Sequence, residues 1–125
     1  MNTLFPFQKS ILIGILAFGI FTVRATDLDS LGFTLLRTVD PSLTGAGISV
    51  AQPEASQTSL DYEVNPAAVG QPANLFTYFS SSGISSKFPN AVGTESSHAD
   101  GVGGNFYGTD HGVAPGVAHV DNYEA

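Results

Sequence analysis

The run Thr44-Gly45-Ala46-Gly47 followed by Ile48-Ser49-Val50-Ala51-Gln52 constrains the fold more than any other stretch of this chain. The glycines signal a tight turn, and Ile48, Val50 and Gln52 then alternate with Ser49 and Ala51 as a short strand does. Both faces of that strand are small and mostly apolar, which suits a buried parallel sheet. Leu75-Phe76-Thr77-Tyr78-Phe79 and Val117-Ala118-His119-Val120 are the further strand candidates. Upstream, Asp27-Leu28-Asp29-Ser30 supplies capping side chains, and Leu31, Leu35, Leu36 and Val39 fall at helical spacing. That pattern predicts a short helix over 30–38, ended by Asp40-Pro41. Pro, Gly, Ser and Asn are dense between residues 64 and 97, which predicts long loops with a single strand.

Compartment decides which residues count toward that domain. Lys9 precedes an apolar run from Ile11 to Val23, and Val23-Arg24-Ala25 leads into Thr26-Asp27. A basic start, an apolar centre of about a dozen residues and small side chains before the junction describe a secretory signal cleaved after Ala25. The run is short of the roughly 20 residues a spanning helix needs, so no membrane anchor is expected after cleavage. Residues 1–25 are therefore read as signal peptide and 26–125 as the mature part, secreted or periplasmic. Arg37 and Lys87 are its basic side chains, against all eleven Asp and Glu, for a formal charge of −9. Such a surface repels nucleic acid and anionic membrane, so neither is an expected partner. The chain has no cysteine, so neither disulfides nor thiol chemistry are available to it. A mature length of about 100 residues fits one small domain or a piece of a larger one.

Between the last two strand candidates, His98, Val102 and Phe106 recur every four residues, the period of one helix face. Gly101, Gly103 and Gly104 occupy the same window, each costing about 1 kcal/mol against alanine inside a helix. By propensity alone the window is a loop.

Three segments, in order, resemble those of subtilisin-like serine proteases. Subtilases carry a Thr-Gly-x-Gly turn leading into a strand of the type Val-x-Val-Ala-x-x-Asp, whose last residue is the catalytic acid. Here Gly47-Ile48-Ser49-Val50-Ala51-Gln52-Pro53-Glu54 places Glu54 at that position. The second family segment, His-Gly-Thr-His-Val-Ala-Gly, is matched by Glu95-Ser96-Ser97-His98-Ala99-Asp100-Gly101, which places His98 at the catalytic base. Gly112-Val113-Ala114-Pro115 matches the family's Gly-Val-Ala-Pro lead into the next strand. The resemblance implies an α/β fold with a partial parallel sheet and flanking helices, a helix beginning near His98, and small residues that let it approach the sheet closely. It also differs in particulars. Glu54 is one methylene longer than aspartate, Pro53 removes a backbone donor at the strand end, and Ser96-Ser97 and Ala99-Asp100 flank the histidine differently.

The resemblance implies peptide-bond hydrolysis by acyl transfer, in which a carboxylate accepts the Nδ1 proton of histidine and leaves Nε2 to take a serine proton. Glu54 would orient, and His98 would act as base. No serine follows His98 in the sequence, and the family's serine and oxyanion asparagine come later in chain order. The expectation is thus the amino-terminal part of a subtilase catalytic domain, inactive alone, with a peptide or protein as substrate once completed. Asn122-Tyr123-Glu124-Ala125 has no capping glycine or polar tail and reads as an interruption. No cofactor or metal is implied. His111 and His119, with Asp110 and Asp121, have spacings that match no compact ligand motif and are expected at the surface. Gly101-Val102-Gly103-Gly104 follows no strand and lacks a lysine, so helix packing explains it better than phosphate binding. The alternative is a non-catalytic secreted binding or surface module of subtilase-like architecture.

Overall fold

A computed structural model describes residues 27–56, 58 and 60–125. The signal-peptide reading of residues 1–25 lies outside them. In chain order the elements are α1 (Asp27–Ser30), α2 (Phe33–Val39), β1 (Ser49–Glu54), β2 (Asp61–Glu63), β3 (Phe76–Ser80), β4 (Gly83–Ser85), β5 (Thr94–Glu95), α3 (Ser97–Tyr107) and β6 (His119–Glu124). Four strands form one sheet in the order β1-β6-β3-β4, and β2 pairs with β5 in a second, two-stranded sheet. β6 runs parallel to β1 on one side and to β3 on the other, while β4 folds back antiparallel on β3. The chain is of the α/β class, with α3 lying between the parallel strands β3 and β6 in sequence.

Alternation along the strands decides which side chains make the core. Val50, Gln52 and Glu54 of β1 point inward, whereas Ser49, Ala51 and Pro53 point out and are exposed. On the inner face Val50 and Val120 meet Phe76 and Tyr78 from β3, with Ala99 and Tyr107 of α3 and Val64, Val69 and Val117 from the connections. The Phe76 ring stacks on Tyr78 with centroids 6.1 Å apart and meets Tyr107 edge-on at 5.9 Å. Fully burying an apolar side chain of this size contributes about 1.5–3 kcal/mol, so this aromatic layer dominates the packing.

One buried amide ties the two sheets together. The Asn122 Oδ1 atom accepts the Val64 N–H at 2.8 Å, and its Nδ2 atom donates to the Gln52 and Tyr62 carbonyls at 3.1 and 3.2 Å. β2 is thereby held against β6 and β1. The Glu63 carbonyl then accepts the Ser96 N–H at 2.9 Å, which fixes where α3 begins.

Several sequence expectations change here. The helix predicted over 30–38 is two pieces, broken where Gly32 takes a left-handed φ of +81°. Its apolar stripe, Leu31, Leu35, Leu36 and Val39, is exposed rather than packed. α2 instead meets the body through its other side, where Arg37 Nη2 donates to the Gly112 and Val113 carbonyls at 2.8 and 3.1 Å. β1 is covered on one face, not both, and continues through Pro53 to Glu54. Proline is tolerated because, among the described residues, β1 pairs with β6 alone and so lies at an edge. The segment predicted as loops with one strand carries β3, β4 and β5. The last strand is shifted to His119–Glu124 by its register with β1, Ser49 facing His119 and Glu54 facing Glu124.

Candidate active site

Glu54 owes its place to the turn before β1. Gly45 and Gly47 both adopt positive φ, +83° and +80°, a conformation that side chains disfavour. A Cβ on Gly45 would also stand 2.9 Å from Ala114 Cβ, so the turn packs directly on the Gly112-Val113-Ala114-Pro115 segment. The Gly116 N–H donates to the Thr44 carbonyl at 2.7 Å and the Ala118 N–H to the Ile48 carbonyl at 2.8 Å. Two of the three segments singled out in the sequence are thus in contact. From that anchor β1 runs parallel to β6 and delivers Glu54 to its carboxyl end, the edge at which sites of open α/β sheets assemble.

His98 stands in the first turn of α3. Ser96 is the N-cap, its hydroxyl accepting the Ala99 N–H at 3.4 Å, and Asp100 adds a carboxylate where the helix dipole favours one. Gly103 and Gly104 are accommodated because the helix is pressed against the sheet by its small side, whereas Gly101 is exposed with open space beside it. Ala99, Gly103, Gly104 and Tyr107 are buried, and a Cβ on Gly103 would lie 2.7 Å from the Tyr107 hydroxyl. The four-residue repeat noticed in the sequence, His98, Val102 and Phe106, is the exposed side of the helix.

The structure brings the two side chains together. His98 Nε2 lies 3.6 Å from Glu54 Oε2, an ion-pair distance just outside hydrogen bonding. Glu54 is 6% exposed at its side chain and His98 60%, so a buried carboxylate faces an accessible imidazole. One detail departs from expectation, since the nitrogen facing the carboxylate is Nε2, not Nδ1. In this rotamer Nδ1 is the nitrogen turned away from the carboxylate.

Behind Glu54 sits a buried polar chain. Gln52 Nε2 donates to Glu54 Oε1 at 2.8 Å and to the Ala99 carbonyl at 3.0 Å, and the Tyr107 hydroxyl donates to Gln52 Oε1. Burial, reinforced by the Glu54 carboxylate and then Asp100, pushes the Tyr107 phenol up and keeps it a donor. Sequence reading passed over Gln52 and Tyr107. The available signal was an amide at an inward position of an otherwise small apolar strand, which must find partners to be buried.

Other titratable groups surround the pair. Asp100 Oδ1 accepts the Asn65 N–H at 2.7 Å, and Asn65 Nδ2 donates to Glu95 Oε1 at 3.2 Å. Desolvation raises the Asp100 carboxyl to about 6, with Glu95 adding to the shift and the Asn65 N–H opposing it. Glu63 is buried with neither carboxylate oxygen hydrogen-bonded, and desolvation pushes it up despite the nearby Asn90 amide. Asp110 and His111 are exposed, while on the outer sheet face His119 Nε2 lies 3.1 Å from Asp121 Oδ1 and 3.2 Å from Thr77 Oγ1. Among the described residues no three His, Cys, Asp or Glu are grouped to hold a metal, and no helix is long and apolar enough to cross a membrane.

A carboxylate closing a parallel strand and an imidazole opening a helix thus stand together at one end of an α/β sheet. No protein-family model matches the chain, and neither a curated protein nor a solved structure matches it significantly.

Proposed function

We propose that residues 26–125 are the amino-terminal portion of an exported subtilisin-like serine endopeptidase domain, supplying its acid and base. The observation that carries this reading is the 3.6 Å approach of Glu54 at the end of β1 to His98 at the start of α3. Contact between the Thr44-Gly45 turn and Ala114 adds to it, since it joins two of the segments that resemble subtilases. The basic and apolar leader at 1–25 supports export.

In this reading the buried Glu54 carboxylate accepts a ring proton of His98, and the free ring nitrogen takes the proton of a serine hydroxyl attacking a peptide carbonyl. The same nitrogen returns that proton to the leaving amine. The serine is supplied from outside these residues, because none follows His98 in the sequence. The substrate is a peptide or protein, and the acidic surface disfavours nucleic acid and anionic membrane.

The test is to sequence the gene past codon 125 and express what it encodes. A segment resembling Gly-Thr-Ser-Met-Ala is expected there. The longer product should react with a fluorophosphonate and lose that reaction in His98→Ala, whereas residues 26–125 alone should neither react nor hydrolyse casein. Labelling of the short chain, or no such segment in any frame, contradicts the proposal. In the latter case a cooperative melt of residues 26–125 would favour the non-catalytic module instead.

A further inference from the structure

We infer that Gln52 is the positioning residue of the Glu54–His98 pair, an inference that rests on reading that pair as acid and base. Its amide touches both elements of the site. Gln52 Nε2 reaches Glu54 Oε1 at 2.8 Å within β1 and the Ala99 carbonyl at 3.0 Å within α3. Ala99 is the residue next to His98, so a single side chain sets the carboxylate against the backbone that carries the imidazole. Oε1 of Glu54 is taken by this bond, and Oε2 is the oxygen presented to His98.

The orientation of the amide is fixed by its partners. Both acceptors face Nε2, and the one donor, the Tyr107 hydroxyl, faces Oε1. Turning the amide over would set Oε1 against two acceptors. The fully buried Tyr107 hydroxyl could donate or accept, so it is the two acceptors at Nε2 that settle the direction of the amide, and the hydroxyl then donates to Oε1. The result is a directed chain from the Tyr107 hydroxyl through Gln52 to Glu54, spanning 55 residues of sequence and excluded from water.

Gln52 has a structural share, since leucine in its place would fill the space as Val50 does at the preceding inward position but would strand the Tyr107 hydroxyl and the Ala99 carbonyl. What glutamine adds is direction. A carboxylate held at one oxygen cannot swing away from the histidine, and a carboxylate partner makes the opposite ring nitrogen more basic and more nucleophilic.

The experiment is diethyl pyrocarbonate modification of residues 26–125 at mildly alkaline pH, followed residue by residue by mass spectrometry. His111 and His119 serve as internal controls. Glu54→Gln is expected to slow modification of His98 severalfold, and Gln52→Leu to slow it by a similar factor. The double variant should be no slower than Glu54→Gln, since changes along one chain of contacts are not additive. Rates at His111 and His119 should stay constant. If Glu54→Gln leaves His98 unchanged, the acid–base reading itself falls. If Glu54→Gln slows His98 and Gln52→Leu does not, the positioning role alone is overturned. Should Gln52→Leu fail to fold, Gln52→Met decides the matter: it keeps the length of the side chain but removes the donor to Glu54 and Ala99, and an unchanged His98 rate would overturn the inference.

Discussion

The amino-terminal helices and the sheet with α3 are attached to the same chain by different physics. In the strands and α3, Tyr62, Phe76, Tyr78, Tyr107, Val120 and Asn122 are at most 1% exposed, and the buried Asn122 amide is paired across elements. In α2 no residue is buried, and Leu35 and Val39 are 70% and 77% exposed. Two hydrogen bonds from Arg37 hold it to the Gly112-Val113 backbone. The difference teaches that an apolar stripe of correct helical period does not by itself say which side of a helix the fold will use.

The largest effect should come from the aromatic layer. Tyr78 is fully buried, stacks on Phe76 and donates to the Val64 carbonyl at 2.9 Å, so Tyr78→Ala is expected to cost about 3–5 kcal/mol in urea unfolding. A loss below about 1 kcal/mol would mean that the core lies elsewhere. Asn122→Ala comes next. It strands the Val64 N–H and two carbonyls, and should cost more than about 2 kcal/mol by the same measurement.

A pH dependence follows from the two raised carboxyls. Asp100 and Glu63 hold their protons more tightly folded than unfolded, so the folded state is favoured at acid pH and loses that advantage as pH rises. For Asp100 the loss spans the interval from 3.8 to about 6. Melting temperature should therefore fall across that interval, and Asp100→Asn should flatten the profile while keeping the acceptor for the Asn65 N–H. A melting temperature that rises through the same interval would show that other groups dominate.

The smallest effects belong to the helical pair. Arg37→Ala should speed hydrogen exchange over 33–39 while leaving the amides of β1, β3 and β6 protected. Leu35→Ser should change unfolding free energy by no more than about 0.5 kcal/mol, because the side chain is exposed. A cost comparable to Tyr78→Ala would abolish the contrast between the two regions.

What could be read from the sequence was mostly local. The Gly45 and Gly47 turn and the alternation after it require only turn chemistry and period, and they led to the strand that ends at Glu54. His98 was placed on a helix against its glycine content, and the reason is visible only in three dimensions, where Gly103 makes room for Tyr107. β2 and β5 are three and two residues long and exist through pairing with each other, so no run of side chains announces them. The link from Tyr107 to Gln52 likewise joins α3 to β1 across the fold, beyond the reach of any window.

The central claim is that Glu54 and His98 meet at the carboxyl edge of the sheet. It is tested most directly by nuclear Overhauser contacts in residues 26–125 between the Glu54 γ-methylene and the His98 ring protons. The 3.6 Å approach of the two side chains makes such a contact the expected result. Its absence, with the His98 ring instead showing contacts only to its own helix, would contradict the account.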